Sequence, residues 1–273
     1  MLAASIIPPI GFGTWPLKEE VARDSVAMAL DCGFRHIDTA QAYENEKAVG
    51  EGIRASGLKR EDVFAVTKVH FDNLNKTKFL PSVRASLEHL KMDQVDLLLI
   101  HWPPRDDALF DPAIDALCEA QSLGLTRHVG VSNFTPKLLR RAVKRAKAPL
   151  IANQVEFHPL IDQTKLLAAA NELSLTLEAY CVLGRGKVLG QAPIRQIAER
   201  RGLSEAAIIL RWVMQMGVVP LVQTTKRQNA EGNLAALDFT LSEPEMNSIS
   251  TLNIRNERFI SGGSWAPDWN DGV

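Results

Sequence analysis

The chain has 273 residues, 46% hydrophobic and 23% charged, with a formal net charge of −1. That length is close to the roughly 250 residues of an eight-fold strand–helix barrel, so one domain over 1–273 is expected. The near-neutral balance gives no field for nucleic acid or a membrane surface, and no apolar run nears the ~20 residues that span a bilayer. The first residues carry no basic segment followed by a long apolar core, so a cytoplasmic protein acting on small molecules is expected. Cys32, Cys118 and Cys181 are odd in number and far apart, which argues against a disulfide framework and a thiolate metal site.

In chain order, residues 1–17 stand outside any repeating unit, and the spacing of apolar residues predicts a helix over 18–31. A branched apolar run at 34–37 follows and ends at Asp38. The pattern then repeats. Helix 45–56 leads to the run 63–66 before Lys68, helix 73–90 to the run 95–100 before His101, and helix 112–123 to the run 129–131 before Asn133. Helix 136–146 leads to the run 150–152 before Gln154, and helix 163–173 to the run 175–177 before Tyr180. Helices 192–200 and 204–216, a strand over 218–222, a helix over 228–235, a strand over 236–239 and a helix over 242–251 complete eight strands. Thr135-Pro136, Ser204-Glu205 and Ser242-Glu243-Pro244 read as helix starts, and Gly33, Gly124 and Gly202 as helix ends. Strand–helix alternation of this kind specifies a parallel α/β sheet, closed as a (β/α)8 TIM barrel, with functional groups where strands end. The tail over 253–273, with Arg255, Arg258, Phe259, Trp265 and Trp269, reads as an ordered loop capping a pocket.

Asp38, Tyr43, Lys68 and His101 fall at or just past three successive strand ends. Neighbouring strands are ~4.8 Å apart, so their side chains can meet. A lysine facing inward needs a counter-charge, which Asp38 supplies. The resulting cation is expected to favour the Tyr43 phenolate and so ready the phenol as a general acid. His101 beside it can donate to a carbonyl oxygen. This set fits protonation of a carbonyl oxygen while another group attacks its carbon. Taken singly, each residue also has a structural reading: Asp38 as a turn cap, Lys68 as a solvated charge, Tyr43 as a helix-edge aromatic. His36, His89, His128 and His158 read as structural, Trp212 as core, and Trp102 as pocket lining or as filler against the tail. A lysine Schiff base is a competing chemistry, but Asp38 opposes the neutral amine it needs. Metal-dependent hydrolysis lacks a ligand cluster, and no metal is expected.

The segments GFRHIDTAQAYENE, VTKV, LIHWP, HVGVSNF, NQVEFHP and LEAY, in order over nearly the whole chain, resemble the aldo-keto reductases. The resemblance is to bacterial members of the 2,5-diketo-D-gluconate reductase type. It implies reduction of small aldehydes and ketones, α-dicarbonyls and keto-sugars among them, by hydride from NADPH or NADH, with Asp38, Tyr43, Lys68 and His101 as the catalytic tetrad. A regulatory module that binds the cofactor with little turnover is the alternative. The resemblance also implies that Ser132, Asn133 and Gln154 hold the nicotinamide carboxamide, that Tyr180 stacks on its ring, and that Gly13, Thr14 and Trp15 lie beside the ribose and pocket. Cys181 to Gly186, including Val182, Leu183 and Gly184, matches the pyrophosphate loop, although Ser-Pro is more usual at Cys181-Val182.

The adenosine end departs from the family. Gln223, Thr224, Thr225, Lys226, Asn229 and Asn233 occupy it, and Gln223 and Asn229 stand where NADPH-preferring members carry a lysine and an arginine. Lys226 and Arg227 lie close enough to compensate, so relaxed cofactor choice is expected. Only nine residues precede Ile10, too few for the family's full N-terminal hairpin. His70 replaces a pocket tryptophan, so an open, less aromatic pocket lined by Trp15, His70, Trp102 and Trp265 is expected. A monomer is the family's commonest form.

Overall fold

The computed structural model describes residues 6–261 and 263–270. Residues 1–5 of the N-terminal flank and 262 and 271–273 of the tail lie outside the described residues. Eight strands close into a parallel barrel: β1 (Gly11–Gly13), β2 (His36–Asp38), β3 (Phe64–Val69), β4 (Val95–Ile100), β5 (Thr126–Ser132), β6 (Leu150–Glu156), β7 (Thr176–Tyr180) and β8 (Val218–Val222). Strand β1 closes the ring on β8 through Gly11 opposite Leu221 and Phe12 opposite Val222. Ten α-helices accompany them: α1 (Glu19–Cys32), α2 (Glu46–Ala55), α3 (Phe79–Leu90), α4 (Phe110–Ser122), α5 (Pro136–Arg145), α6 (Thr164–Glu172), α7 (Ala192–Arg201), α8 (Glu205–Gln215), α9 (Arg227–Leu234) and α10 (Glu243–Ser250). Among the described residues no helix is long and apolar enough to cross a membrane.

Strands in such a barrel are covered on both faces, which is why β4 is buried at every position. The period of two sends alternate side chains to the barrel axis and to the helices. On the axis, Val66, Leu97, Leu99, Ala152 and Val219 form a small apolar cluster joined by Ile7. Two residues further along β3, β6 and β7 the inward positions turn polar, at Lys68, Gln154 and Glu178, all buried. The apolar cluster is the floor on which a polar layer stands. Ile7 reaches it from the N-terminal flank, where residues 6–10 hold no strand.

All ten predicted helices are present, most within two residues of their expected ends. Thr135 accepts the Leu138 N–H and Ser204 the Ala207 N–H, while Glu245 accepts the Ser242 backbone N–H at 2.8 Å. Trp212 is core, with Nε1 donating to Ser250. Helix α3 starts later than expected, at Phe79, because a separate 3₁₀ turn covers Phe71–Asn73.

One strand lies elsewhere than the sequence predicts: the stretch 236–239 is not a strand but the end of a 3₁₀ turn (Ala235–Leu237) and coil. The eighth strand is β1, inside the region expected to stand outside the repeat. Glycine explains why the apolar pattern missed it, because Gly is a weak strand former. Packing demands it nonetheless: a Cβ on Gly11 would stand 2.3 Å from Leu221 Cδ2 and 2.9 Å from the His36 ring.

Close helix packing makes a similar demand in α2, where a Cβ on Gly50 would meet the Leu90 carbonyl oxygen at 2.3 Å. Backbone cannot rotate away as a side chain can. Gly50→Ala therefore lowers stability by about 1–3 kcal/mol, although alanine is the better helix former by about 1 kcal/mol. A lower guanidinium midpoint at unchanged slope is the expected result; an unchanged or higher midpoint would show that α2 and α3 are not held at this distance.

Candidate active site

The strand ends bring the four expected groups together. Asp38 closes β2, Lys68 lies one residue from the end of β3, His101 follows β4, and Tyr43 sits on the 3₁₀ turn Gln41–Tyr43 after β2. Lys68 Nζ, fully buried, donates to Asp38 Oδ1 at 2.6 Å, to the Thr39 carbonyl at 2.9 Å and to Tyr43 Oη at 3.3 Å. The ammonium thus has three acceptors and its charge is paired. Burial alone lowers its pKa, but Asp38 and the Tyr43 oxygen together outweigh this and hold it above the ordinary lysine value. A charged Lys68 is unfit for Schiff-base chemistry.

Tyr43 departs from the sequence expectation in one respect. Its pKa is raised, not lowered: burial is the largest influence, Lys68 opposes it, and Asp38 adds to the rise. The phenol is therefore fully protonated at neutral pH. Lys68 acts on the other form, as the charge that meets a phenolate once the proton has left. The His101 ring stands edge-on to Tyr43 at 5.6 Å between centroids. Burial, with Lys68 next, drives the His101 pKa well below its usual value, so the imidazole is neutral. Its Nδ1 is buried without a hydrogen-bond partner. Placing the single proton on Nε2 avoids burying an unpaired N–H and gives a donor facing the cavity that His101 lines.

A cavity of about 790 Å³ opens above these groups, lined by Asp38, Tyr43 and His101 and, from other strand ends, by Ser132, Asn133, Gln154 and Tyr180. Gln154 Nε2 donates to Asp38 Oδ2 at 2.8 Å and to Glu178 Oε2 at 3.3 Å. Its orientation is therefore fixed, and no donor among the described residues reaches its Oε1. An amide oxygen in a cavity wall is a suitable acceptor for a carboxamide N–H, so the residues present fit a nicotinamide. Asn133, at φ 64°, uses both amide hydrogens, on the His101 carbonyl and Ser132 Oγ, and accepts the Tyr180 hydroxyl at 2.6 Å. Only a lone pair on Oδ1 is left for a ligand. Gly13, Trp15, Val182, Leu183 and Gln223 also line the cavity, whereas Thr14, Thr224 and Asn233 are buried and Thr225, Lys226 and Asn229 exposed. Gly184 is buried next to Val188 and Phe259.

The wall is more aromatic than expected. His70, Trp102 and Trp265 line it, joined by Phe71, which the sequence reading passed over and which stacks on Trp265 at 5.9 Å. Trp102 serves both its readings, facing the cavity and meeting Trp269 edge-on. The tail does cap the pocket, through Phe259, Ile260, Ser261, Gly263 and Trp265. Glu156 at the end of β6 anchors it, accepting the backbone N–H groups of Phe259 at 2.7 Å and Ile260 at 2.9 Å. That role of Glu156 went unread because its partners lie about a hundred residues away.

In the loop after β8, Arg227 is already engaged, with Asp31 at 2.5 Å and Glu231 at 3.7 Å. Lys226 makes no ion pair among the described residues.

The profile of the aldo/keto reductase family matches residues 9–254. Methylglyoxal reductase DkgB of Yersinia pestis is 42% identical over 266 residues, 97% of this chain and 99% of that protein. The Escherichia coli O157:H7 protein of that name is 40% identical over the same shares. A solved structure assigned as a 2,5-diketo-D-gluconic acid reductase B superposes with a TM-score of 0.93 at 40% identity, covering 97% of this chain and 94% of that one. A variant of Gox0644, solved in complex with NADPH, gives 0.85 at 28% identity over 90% and 89%. The chain therefore belongs to the aldo/keto reductase family, as an NAD(P)H-dependent oxidoreductase that reduces carbonyl compounds.

Proposed function

We propose that Tyr43 is the general acid of this reduction, that Lys68 and Asp38 hold the charge it acts against, and that Ser132, Asn133, Gln154 and Tyr180 seat the nicotinamide. Bound NAD(P)H supplies the hydride to the carbonyl carbon. The observation that carries the reading is the 3.3 Å contact of the buried, Asp38-paired Lys68 ammonium with Tyr43 Oη. His101, neutral and with its proton on Nε2, donates to the carbonyl oxygen and orients it toward the phenol. As charge grows on that oxygen, Tyr43 delivers its proton and the resulting phenolate is met by Lys68. Gly13, Thr14 and Trp15 belong to the loop beside the nicotinamide ribose and pocket, the segment Cys181 to Gly186 receives the pyrophosphate, and the segment from Gln223 to Asn233 receives the adenosine.

The substrates we assign are small aldehydes, α-dicarbonyls and keto-sugars of the diketogluconate type. The cavity's size and its walls of Trp15, Phe71, Trp102 and Trp265 suit such compounds next to a nicotinamide, and the names of the relatives point the same way. We take the protein to work as a monomer in the cytoplasm, where its free cysteines stay reduced.

For the cofactor, the pairing of Arg227 with Asp31 leaves Lys226 as the cation of this loop available to a 2′-phosphate. One exposed charge contact is worth up to about 1 kcal/mol, so preference for NADPH over NADH is modest.

Two outcomes are expected. Tyr43→Phe lowers kcat by about 10² to 10⁴ while NAD(P)H still binds with parental affinity, measured by quenching of tryptophan fluorescence; full activity in this variant would remove Tyr43 as the acid. Lys226→Ala raises the NADPH KM roughly fivefold and leaves the NADH KM unchanged, with Arg227→Ala having less effect. A strong NADPH preference that survives both substitutions would contradict this account of the loop.

A further inference from the structure

Beneath the tetrad lies a second group of polar side chains that the reaction does not use. Glu178 of β7 and His36 of β2 are fully buried, with Glu178 Oε1 and His36 Nε2 3.5 Å apart. Among the described residues neither atom has a hydrogen-bond partner, the contact falling short of hydrogen-bond geometry, and His36 Nδ1 has none either. The ring is enclosed by apolar matter: Phe64 edge-on at 5.3 Å, Leu221 beside it, and Gly11, where any side chain would strike it. The groups facing Glu178 are Gln154 from β6, His36 and Asp38 from β2 and Lys68 from β3; β8 pairs it with Val219. Asp38 already balances the only cation among them. Two carboxylates against one ammonium leave an unpaired buried negative charge, which is costly.

We propose that Glu178 is a positioning residue kept as a neutral carboxylic acid at pH 7, its Oε1 facing the His36 ring and its Oε2 fixing the Gln154 amide beneath the nicotinamide site. The balance of protons is simple: the neutral pair holds two, the carboxylic O–H of Glu178 and one N–H of the His36 ring, and loss of the carboxylic proton to solvent leaves a negative charge in the polar layer. Burial, then Asp38, pushes the Glu178 carboxyl up to about 8, while burial, then Lys68, brings His36 down to about 3, so both are uncharged between these limits. Ionised Glu178 opposes formation of the Tyr43 phenolate across the Asp38–Lys68 pair. Carbonyl reduction therefore slows on the alkaline side, well below the raised pKa of Tyr43 itself. This extends the reading of Tyr43 as the acid and rests on it.

Glutamine has the shape and the hydrogen-bonding groups of the neutral acid, so Glu178→Gln is the informative substitution. The kcat for reduction of methylglyoxal at saturating NAD(P)H is measured from pH 6 to 9.5 in both proteins. The parent is expected to lose roughly tenfold across pH 8, the size of one charge acting over ~10 Å at an effective dielectric of ~20. Glu178→Gln is expected to match the parent within about threefold at pH 7 and to lack that fall. An independent readout is infrared absorption: the parent shows a carboxylic acid C=O band at pH 7 that fades through pH 8 and is missing from Glu178→Gln. Persistence of the alkaline fall in the folded variant, or a loss of more than tenfold at pH 7, would overturn the proposal. So would absence of the band from the parent protein, which decides the matter even if the variant does not fold. A Tyr43→Phe protein that keeps full activity, beside a parent that shows the band, would refute Tyr43 as the acid and leave the neutral Glu178 carboxyl standing.

Discussion

A lysine ammonium buried in the mouth of a barrel is the constraint from which the rest follows. Lys68 cannot sit there unpaired, so Asp38 must close the neighbouring strand within its reach: the β2–β3 register sets Asp38 opposite Val66, two residues before Lys68, and the ammonium meets the carboxylate at 2.6 Å. Breaking such a pair by removing one member typically costs about 3–5 kcal/mol, whereas replacing both with apolar groups is often neutral. Stability alone does not call for this pair. What it provides is a fixed positive charge at the oxygen of a tyrosine, in a place that water does not screen.

The apolar floor and the helices exist, in this view, to hold that charge dry and in position. Ile7, Val66, Leu97, Leu99, Ala152 and Val219 pack below, and the tail anchored by Glu156 packs above. Between them the protonation states form a consistent set. Lys68 is charged, Tyr43 and His101 are neutral, and Glu178 and His36 are each neutral as well. Each neutral group is neutral for one main reason, burial, and each stands close enough to Lys68 or Asp38 that its ionisation would be felt by the others.

Much of this was legible in the amino-acid sequence because strands in a barrel end at one rim, and the polar residues that stop the apolar runs are the ones gathered there. Asp38, Lys68, His101, Asn133, Gln154 and Tyr180 were readable for that reason. Gly11–Gly13 was not, since a strand made of glycine to admit the His36 ring carries no apolar signal. The Glu178–His36 pair was invisible for a different reason. Its members lie on β7 and β2, which are not neighbouring strands, and meet only across the barrel axis, so no local pattern joins them. Phe71 and Glu156 belong with these, as their partners come from the tail. The pKa of Tyr43 was misjudged because a sequence shows which charges are near but not how completely water is excluded.

The most direct test of the central claim is the pH dependence of alcohol oxidation, the reverse reaction, in which Tyr43 must act as the phenolate. Comparison of the parent with Asp38→Asn combined with Lys68→Met leaves no unpaired buried charge to confuse the result. If the ammonium is what stabilises the phenolate, the limb that reports loss of the phenol proton moves to higher pH in the double variant. A limb that stays where it is in the parent would show that Lys68 does not act on Tyr43.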